Sequence, residues 1–462
     1  MFPANKVMDT LRRVMLVDGF DLVIDYEKSA GSRIVDARTG KSYLDMFSMV
    51  ASQPLGLNHP RLTEPAFRDV LGRTAVNKPS NSDIYSPQMA EFVDCFCKLA
   101  APAWTKHLFL VSGGALAVEN ALKVAFDWKV KRNLARGAGE KGSQVIHFRD
   151  CFHGRSGYTL SMTNTDPAKT QHFPRFQWPR ILNPKMVFPC QGRNLERVEA
   201  AERQAIAEIH AAIEKHGDDI AALIIEPIQG EGGDHHFRPQ FMAALRQVCD
   251  EHEIFFILDE VQTGLGMTGR WWAHQHAGVA PDAIAFGKKT QVCGIAVGER
   301  VDQVEDNCFV RSSRINSTWG GNLVDMVRCT RLLEVIEEEG LVENATRRGR
   351  QAVGLLESFQ AEQPDWLQNV RGQGLFVAFD LVVPDKRAAL LARAFQNGLL
   401  ILPAGSASVR LRPALNVTAE EIDEAVGRIR QSLQEAMEPA GGRRAAAGPP
   451  PGNRGRPVRP RR

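Results

Sequence analysis

Two lysines stand side by side in "AIAFGKKTQVCGI" (283–295), after an apolar run and ahead of a mostly uncharged one. A lysine amine is protonated at neutral pH, with an ordinary pKa of about 10.4. Only the neutral amine condenses with a carbonyl, so a Schiff-base lysine needs burial or a neighbouring cation. The end of an apolar strand provides burial. Adjacent side chains of an extended segment point to opposite faces. One of Lys288 and Lys289 is therefore expected to face a pocket, with the other solvated or paired. Taken alone, either lysine fits a surface role.

Three further stretches could serve the same chemistry. "VSGGALAVENALK" (111–123) is a strand, the glycine pair Gly113–Gly114, and a helix start. Free N–H groups and the positive end of a helix dipole make such a turn an anion site. "CFHGRSGYTLSMTN" (151–164) sets Phe152 beside His153 and Arg155, where an aromatic ring can stack on a planar ligand. "IFFILDEVQTGLGMTGR" (254–270) closes an apolar strand with Asp259 and Glu260, then Val261 and Gln262. A carboxylate at such a strand mouth needs a cation or donors, and a protonated ring nitrogen qualifies. Each feature also has a plainer use: turn geometry, a core plug, a helix cap or ion pair. Together they match pyridoxal 5'-phosphate, whose phosphate, ring, ring nitrogen and aldehyde need those four partners.

An alternating α/β domain has to hold these groups. Candidate strands are 107–111, 144–148, 221–227, 254–260 and 283–287, separated by helical patterns such as 115–132 and 197–217. Near-continuous apolar strands with helical crossovers imply a mostly parallel, doubly covered sheet, with its ligand at the strands' carboxyl ends. The chain ends differ: 18–46 reads as a meander with a turn at "RTGK", and 340–436 as helix, strands and a final helix from about Thr418. The expected architecture is α/β: a large domain (61–329), plus a small α+β domain built from both termini (1–60 and 330–440).

At 462 residues, 44% hydrophobic and 24% charged, the composition is that of an ordinary soluble protein. No apolar run reaches the roughly 18 residues of a membrane span, and the N-terminus lacks the core of a signal peptide. Eight cysteines, with Cys95 and Cys97 a lone C-x-C and no second pair at metal-site spacing, point to a reduced, cytoplasmic protein and to no metal site. Residues 441–462 form an Arg/Pro/Gly-rich tail that reads as disordered. Setting its seven arginines against the chain's formal +3 leaves the other 440 residues at −4. Clustered arginine favours phosphate, but no aromatics interleave it, and nucleic-acid binding is not expected.

With these motifs in view, residues 20–435 or so resemble the class III (ω-amino acid) aminotransferases, of the fold-type I, aspartate-aminotransferase-like superfamily. The most specific piece is "LDEVQTGLGMTGRWWAHQHAGVAPDAIAFGK", with Asp, Glu, Val, Gln, then "PD", and a lysine seven residues after that proline. That register selects Lys288 as the Schiff-base lysine. The resemblance implies that Asp259 meets the pyridine nitrogen, Gln262 the ring hydroxyl, Phe152 and Val261 the ring faces, and Gly113 and Gly114 the phosphate. "NSTWGGN" (316–322) resembles a family loop in which Ser317 and Thr318 reach the phosphate of a neighbouring subunit and Asn316 lies at the substrate. A homodimer with shared sites follows. "CFHGRSGYTLSMTNTDP" and "FGKKTQVCGI" are similar to the branch that uses the terminal amine of L-lysine.

Such an enzyme binds L-lysine and 2-oxoglutarate in one site, releasing glutamate. Arg410, in "VRLRPAL", resembles the family arginine for the oxo acid's α-carboxylate, and Arg155 is expected to hold the distal carboxylate of either substrate. Glu231, in "QGEGG", is expected to neutralise Arg410 when lysine is bound and to swing away for the oxo acid. Other donors (ornithine, acetylornithine, 4-aminobutyrate), a racemase on the same scaffold, and a regulatory protein using its basic tail remain open at this stage.

Overall fold

A computed structural model describes residues 2–437, so the tail at 441–462 lies outside the described residues. Its centre is a seven-stranded sheet: β1 (His107–Val111), β2 (Gln144–Phe148), β3 (Arg180–Ile181), β4 (Ile220–Ile225), β5 (Phe255–Asp259), β6 (Ala283–Phe286) and β7 (Cys293–Val297). The spatial order is β1-β7-β6-β5-β4-β2-β3, and every neighbouring pair is parallel except those made by β7. Strands β4, β5 and β6 are buried at every position, as sequences without polar alternation must be when helices cover both faces.

The five expected strands are present within a residue or two. Strands β3 and β7 were not foreseen. Gly294 breaks the apolar run of β7, and an added Cβ there would fall 2.4 Å from the Phe109 carbonyl oxygen of β1. Only glycine permits that close approach. Helix α1 (Gly114–Ala135) crosses the sheet with Ala117, Ala121, Leu122, Ala125 and Trp128 buried. Helix α2 (Arg193–His216) is amphipathic and buries Val198, Ala205 and Ile209.

Both chain ends meet in a second layer. The hairpin Arg33–Val35/Ser42–Asp45 carries Leu399–Leu400 as a parallel third strand. Beside it, Leu367–Gln373, Phe376–Leu381, Ser408–Leu411 and Leu402–Ala404 form a four-stranded antiparallel sheet. The stretch "GLLILPAGSASVRLRPAL" therefore supplies strands to two sheets. The final helix runs Ala419–Met437.

One local feature has no signature in the sequence. Ser48, Met49, Val50 and Ala51 lie in succession at φ 40°, 53°, 57° and 60°. Left-handed backbone costs non-glycine residues roughly 1–2 kcal/mol each, most for β-branched Val50. Two local bonds and one tertiary bond hold the turn. Asp45 Oδ1 accepts from the Phe47 and Ser48 amides at 2.9 and 2.8 Å, and Ser48 Oγ donates to the Arg412 carbonyl at 2.5 Å. Among the described residues no helix is long and apolar enough to cross a membrane.

Candidate active site

The chemistry-bearing residues gather at the carboxyl edge of the sheet. Gly113 follows β1 by two residues, Phe152 and His153 follow β2, Glu226 follows β4, Asp259 ends β5, and Lys288 follows β6 by two.

Asp259 is 5% exposed. Its Oδ2 pairs with His153 Nδ1 at 2.8 Å, and its Oδ1 accepts the Val261 amide at 3.1 Å. Burial opposes protonation of His153, but Cys151 and the Asp259 carboxylate more than offset it, and the His153 pKa lies well above the ordinary value. The Asp259 carboxylate is thus oriented by the buried His153 ring. Glu226, also buried, accepts the Phe152 amide at 2.9 Å and the Gly230 amide at 3.1 Å. Burial pushes its pKa up to about 7. Glu260 differs in kind: His274, Thr263 and the Ala273 and His274 amides surround it, making it a structural anchor.

Lys288 and Lys289 occupy a short 3-10 turn, Lys288–Thr290, rather than an extended segment, and Lys288 sits at φ 52°. Lys288 is half-buried. Burial first, then the charge of Arg410, holds its amine below the ordinary lysine value, while Asp259, Glu226 and Glu231 pull the other way. Lys289 is not solvated, and among the described residues no carboxylate pairs with it. It is fully buried, donating to the Gln262 carbonyl at 2.8 Å and the Ala51 carbonyl at 3.4 Å. The expected solvated or charge-paired lysine is replaced by one bonded to main chain. The reason is the turn, which directs both side chains inward.

A charge network flanks Lys288. Arg410, 4% exposed, donates from Nη2 to Glu231 Oε2 at 2.8 Å, while Glu231 Oε1 accepts from Lys169 Nζ at 2.8 Å. The Arg410 Nε and Nη1 atoms are buried without a partner. Burial raises the Glu231 pKa, but Arg410 and Lys169 outweigh it, and the carboxyl stays below its ordinary range. Lys169 also lies 5.4 Å above the Phe152 ring.

The remaining expected residues fall into two groups. Gly113 (φ 115°) caps α1, and the amides of Gly114, Ala115 and Leu116 precede the first helical bond, Ala117 N–H to Gly113 O at 3.0 Å. No side chain caps this end. A Cβ on Gly114 would fall 2.9 Å from Val261 Cγ1, so glycine there lets the helix end approach the Val261 turn. Gln262 Oε1 accepts from Arg412 Nη2 at 3.2 Å, which leaves its amide N–H₂ as the outward donor. Arg155 is exposed and free of ion pairs among the described residues. Asn316 and Thr318 are exposed and Ser317 half-buried, on a loop held by Ser80 Oγ to the Thr318 carbonyl at 2.6 Å and by Ser82 to the Ser317 carbonyl. Within one chain, no bond joins that loop to Lys288. Sequence reasoning missed His153 as partner of Asp259, Glu226 as a second buried acid, and Lys169. The residue types of the first two stand out in "CFHG" and "IIEP", but their partners do not; Lys169 leaves no pattern.

These residues fit pyridoxal phosphate: an uncapped helix end for the phosphate, a buried carboxylate for the ring nitrogen, a donor for the ring oxygen, and a depressed amine for the aldehyde. Sheet and site together define a fold-type I, pyridoxal-phosphate-dependent enzyme. The chain belongs to the class-III aminotransferases, whose family model matches residues 16–433. It is 51% identical over 431 residues to the L-lysine-epsilon aminotransferase of Mycobacterium tuberculosis H37Rv, covering 93% of this chain and 95% of that one. Identity to the L-lysine-epsilon aminotransferase of Streptomyces clavuligerus is 47% over 442 residues, covering 94% and 95%. The solved lysine aminotransferase from M. tuberculosis in its internal aldimine form superposes with TM-score 0.92 at 50% identity, covering 95% of this chain and all of that one.

Proposed function

We propose that the enzyme transfers the terminal (ε) amino group of L-lysine to 2-oxoglutarate, giving glutamate and a 6-semialdehyde that cyclises. Bound pyridoxal phosphate supplies a carbonyl for the substrate amine and a ring that accepts the electron pair freed at the substrate carbon. Lys288 Nζ, held below the ordinary lysine value by burial and by Arg410, takes the proton from lysine's terminal carbon. Asp259, braced by His153, holds the proton on the ring nitrogen. Gln262 donates to the ring oxygen, Phe152 and Val261 bracket the ring, and Gly113 and Gly114 bind the phosphate. Ser317 and Thr318 reach a neighbouring subunit's phosphate in a homodimer, with Asn316 at the substrate. The free cysteines support a cytoplasmic setting for the reaction.

The observation that carries the substrate reading is the half-satisfied Arg410. A buried guanidinium paired through one nitrogen, with Nε and Nη1 open, has capacity for a carboxylate. With lysine bound, Glu231 neutralises it beside an apolar stem. With 2-oxoglutarate bound, the α-carboxylate takes Glu231's place and Arg155 meets the distal carboxylate. The similarity to enzymes named for L-lysine supports the same donor. Glutamate formation that requires both L-lysine and 2-oxoglutarate is the expected result. Turnover of an amino acid without any oxo acid would favour a racemase instead.

A further inference from the structure

Lys289 is a fully buried amine that no step above uses. Its Nζ has two partners, the Gln262 and Ala51 carbonyl oxygens, and no carboxylate within ion-pair distance among the described residues. An ammonium without a counter-ion is disfavoured there. Burial, then the charges of Lys288 and Arg412, holds the amine well below its ordinary value. A neutral amine suits the place, because its two N–H donors match two carbonyls. A side chain needed only to fill space would be apolar; this one is a donor aimed at main chain.

The two carbonyls belong to segments that frame the site. Gln262 lies in the turn that follows Asp259 and Val261. Ala51 ends the left-handed turn begun at Ser48. Next to Lys289, Lys288 is itself left-handed at φ 52°, and Gln291 follows at φ 60°. Gln291 repeats the connection: Arg328 Nη1 donates to its Oε1 at 2.8 Å, and its Nε2 donates to the Ser52 carbonyl at 3.4 Å. Strained backbone persists only where its surroundings over-determine it. At Lys288 the surroundings are these donors.

We infer that Lys289 is a positioning residue for Lys288: it pins the left-handed lysine turn to the Gln262 and Ala51 carbonyls, and so fixes the direction in which the Lys288 side chain enters the site. The inference rests on the reading of Lys288 as the reactive lysine. Small misplacements of a reacting group cost large factors in rate, which gives this buried donor its leverage.

Lys289→Met keeps the volume and removes the donors. In the full-length, cofactor-loaded enzyme the visible absorption band should remain, since Lys288 is intact. Visible circular dichroism per bound cofactor should change, reporting a re-aimed ring. In both half-reactions kcat per bound cofactor should fall about tenfold or more, with KM little altered. Wild-type dichroism and kcat, with only a lower melting temperature, would show that Lys289 does no more than fill space and overturn the inference. Where Lys289→Met does not fold, Lys289→Gln is used instead: it keeps a neutral donor for the buried site on a shorter side chain that weakens the pinning to the two carbonyls. A several-fold loss of kcat at constant KM supports the inference, and wild-type kcat and dichroism overturn it. Failure of the underlying reading is separately visible, as a retained visible band in Lys288→Ala.

Discussion

Replacing Glu231 by alanine separates the two substrates. Glu231 holds Arg410 Nη2 at 2.8 Å, and its side chain is 31% exposed against 5% for Arg410. A charge-assisted hydrogen bond of this kind contributes about 1.5–3 kcal/mol. Because Glu231 keeps part of its surface in water, the lower end applies, and about 1.4 kcal/mol is one factor of ten. In the lysine half-reaction the variant leaves Arg410 as an uncompensated cation beside the substrate's stem, so kcat/KM should fall about tenfold. In the 2-oxoglutarate half-reaction the incoming carboxylate displaces Glu231 from Arg410, so removing Glu231 removes a competitor. There kcat/KM should hold or rise. Stopped-flow recording of the cofactor's absorption, with each substrate alone, reads the two values separately. Equal losses in both directions would refute the switched-charge reasoning.

Three other outcomes follow from the geometry. Lys288→Ala should lose the visible band of lysine-bound cofactor while Lys289→Ala keeps it; the reverse would place the reactive lysine one residue along, and an absorption spectrum decides. Asp259→Asn should retain its fold, because the amide still meets His153, but lower kcat on the order of 10²-fold by releasing the ring-nitrogen proton; a kcat within a few-fold of wild type would remove Asp259 from that role. Burial raises the Asp45 pKa from 3.8 to about 6, a span worth roughly 3 kcal/mol. A raised folded-state pKa adds stability that is complete below pH 3.8 and is lost as pH rises through about 6. Relative to Asp45→Asn, wild-type stability should therefore fall between about pH 4 and 6 in urea titrations, and parallel pH profiles would contradict this.

What the sequence made legible has a physical pattern. Strands buried on both faces, such as 255–259 and 283–286, read as unbroken apolar runs and announce themselves. The choice of Lys288 over Lys289 came from the family resemblance, since the residues alone left both lysines open. Strand β7 was hidden by Gly294, which is there for a close backbone approach and weakens any strand pattern. The left-handed turn at 48–51 could not be read locally, since Val50 is among the residues least suited to it; the Arg412 carbonyl and Lys289, both distant in sequence, join nearby Asp45 in holding it. The His153–Asp259 pair spans 106 residues and Lys169–Glu231 spans 62, so both depend on tertiary placement. The extended geometry expected for Lys288–Lys289 failed because the chain turns at Lys288–Thr290, with Lys288 left-handed.

The most direct test is nitrogen transfer from L-lysine labelled with ¹⁵N at either amine, run beside ornithine, acetylornithine and 4-aminobutyrate with 2-oxoglutarate as acceptor. Label should enter glutamate from the ε position alone, at a rate above the other donors, with a cyclising aldehyde as co-product. Strong turnover of ornithine with none of lysine, or label arriving from the α position, would contradict the account.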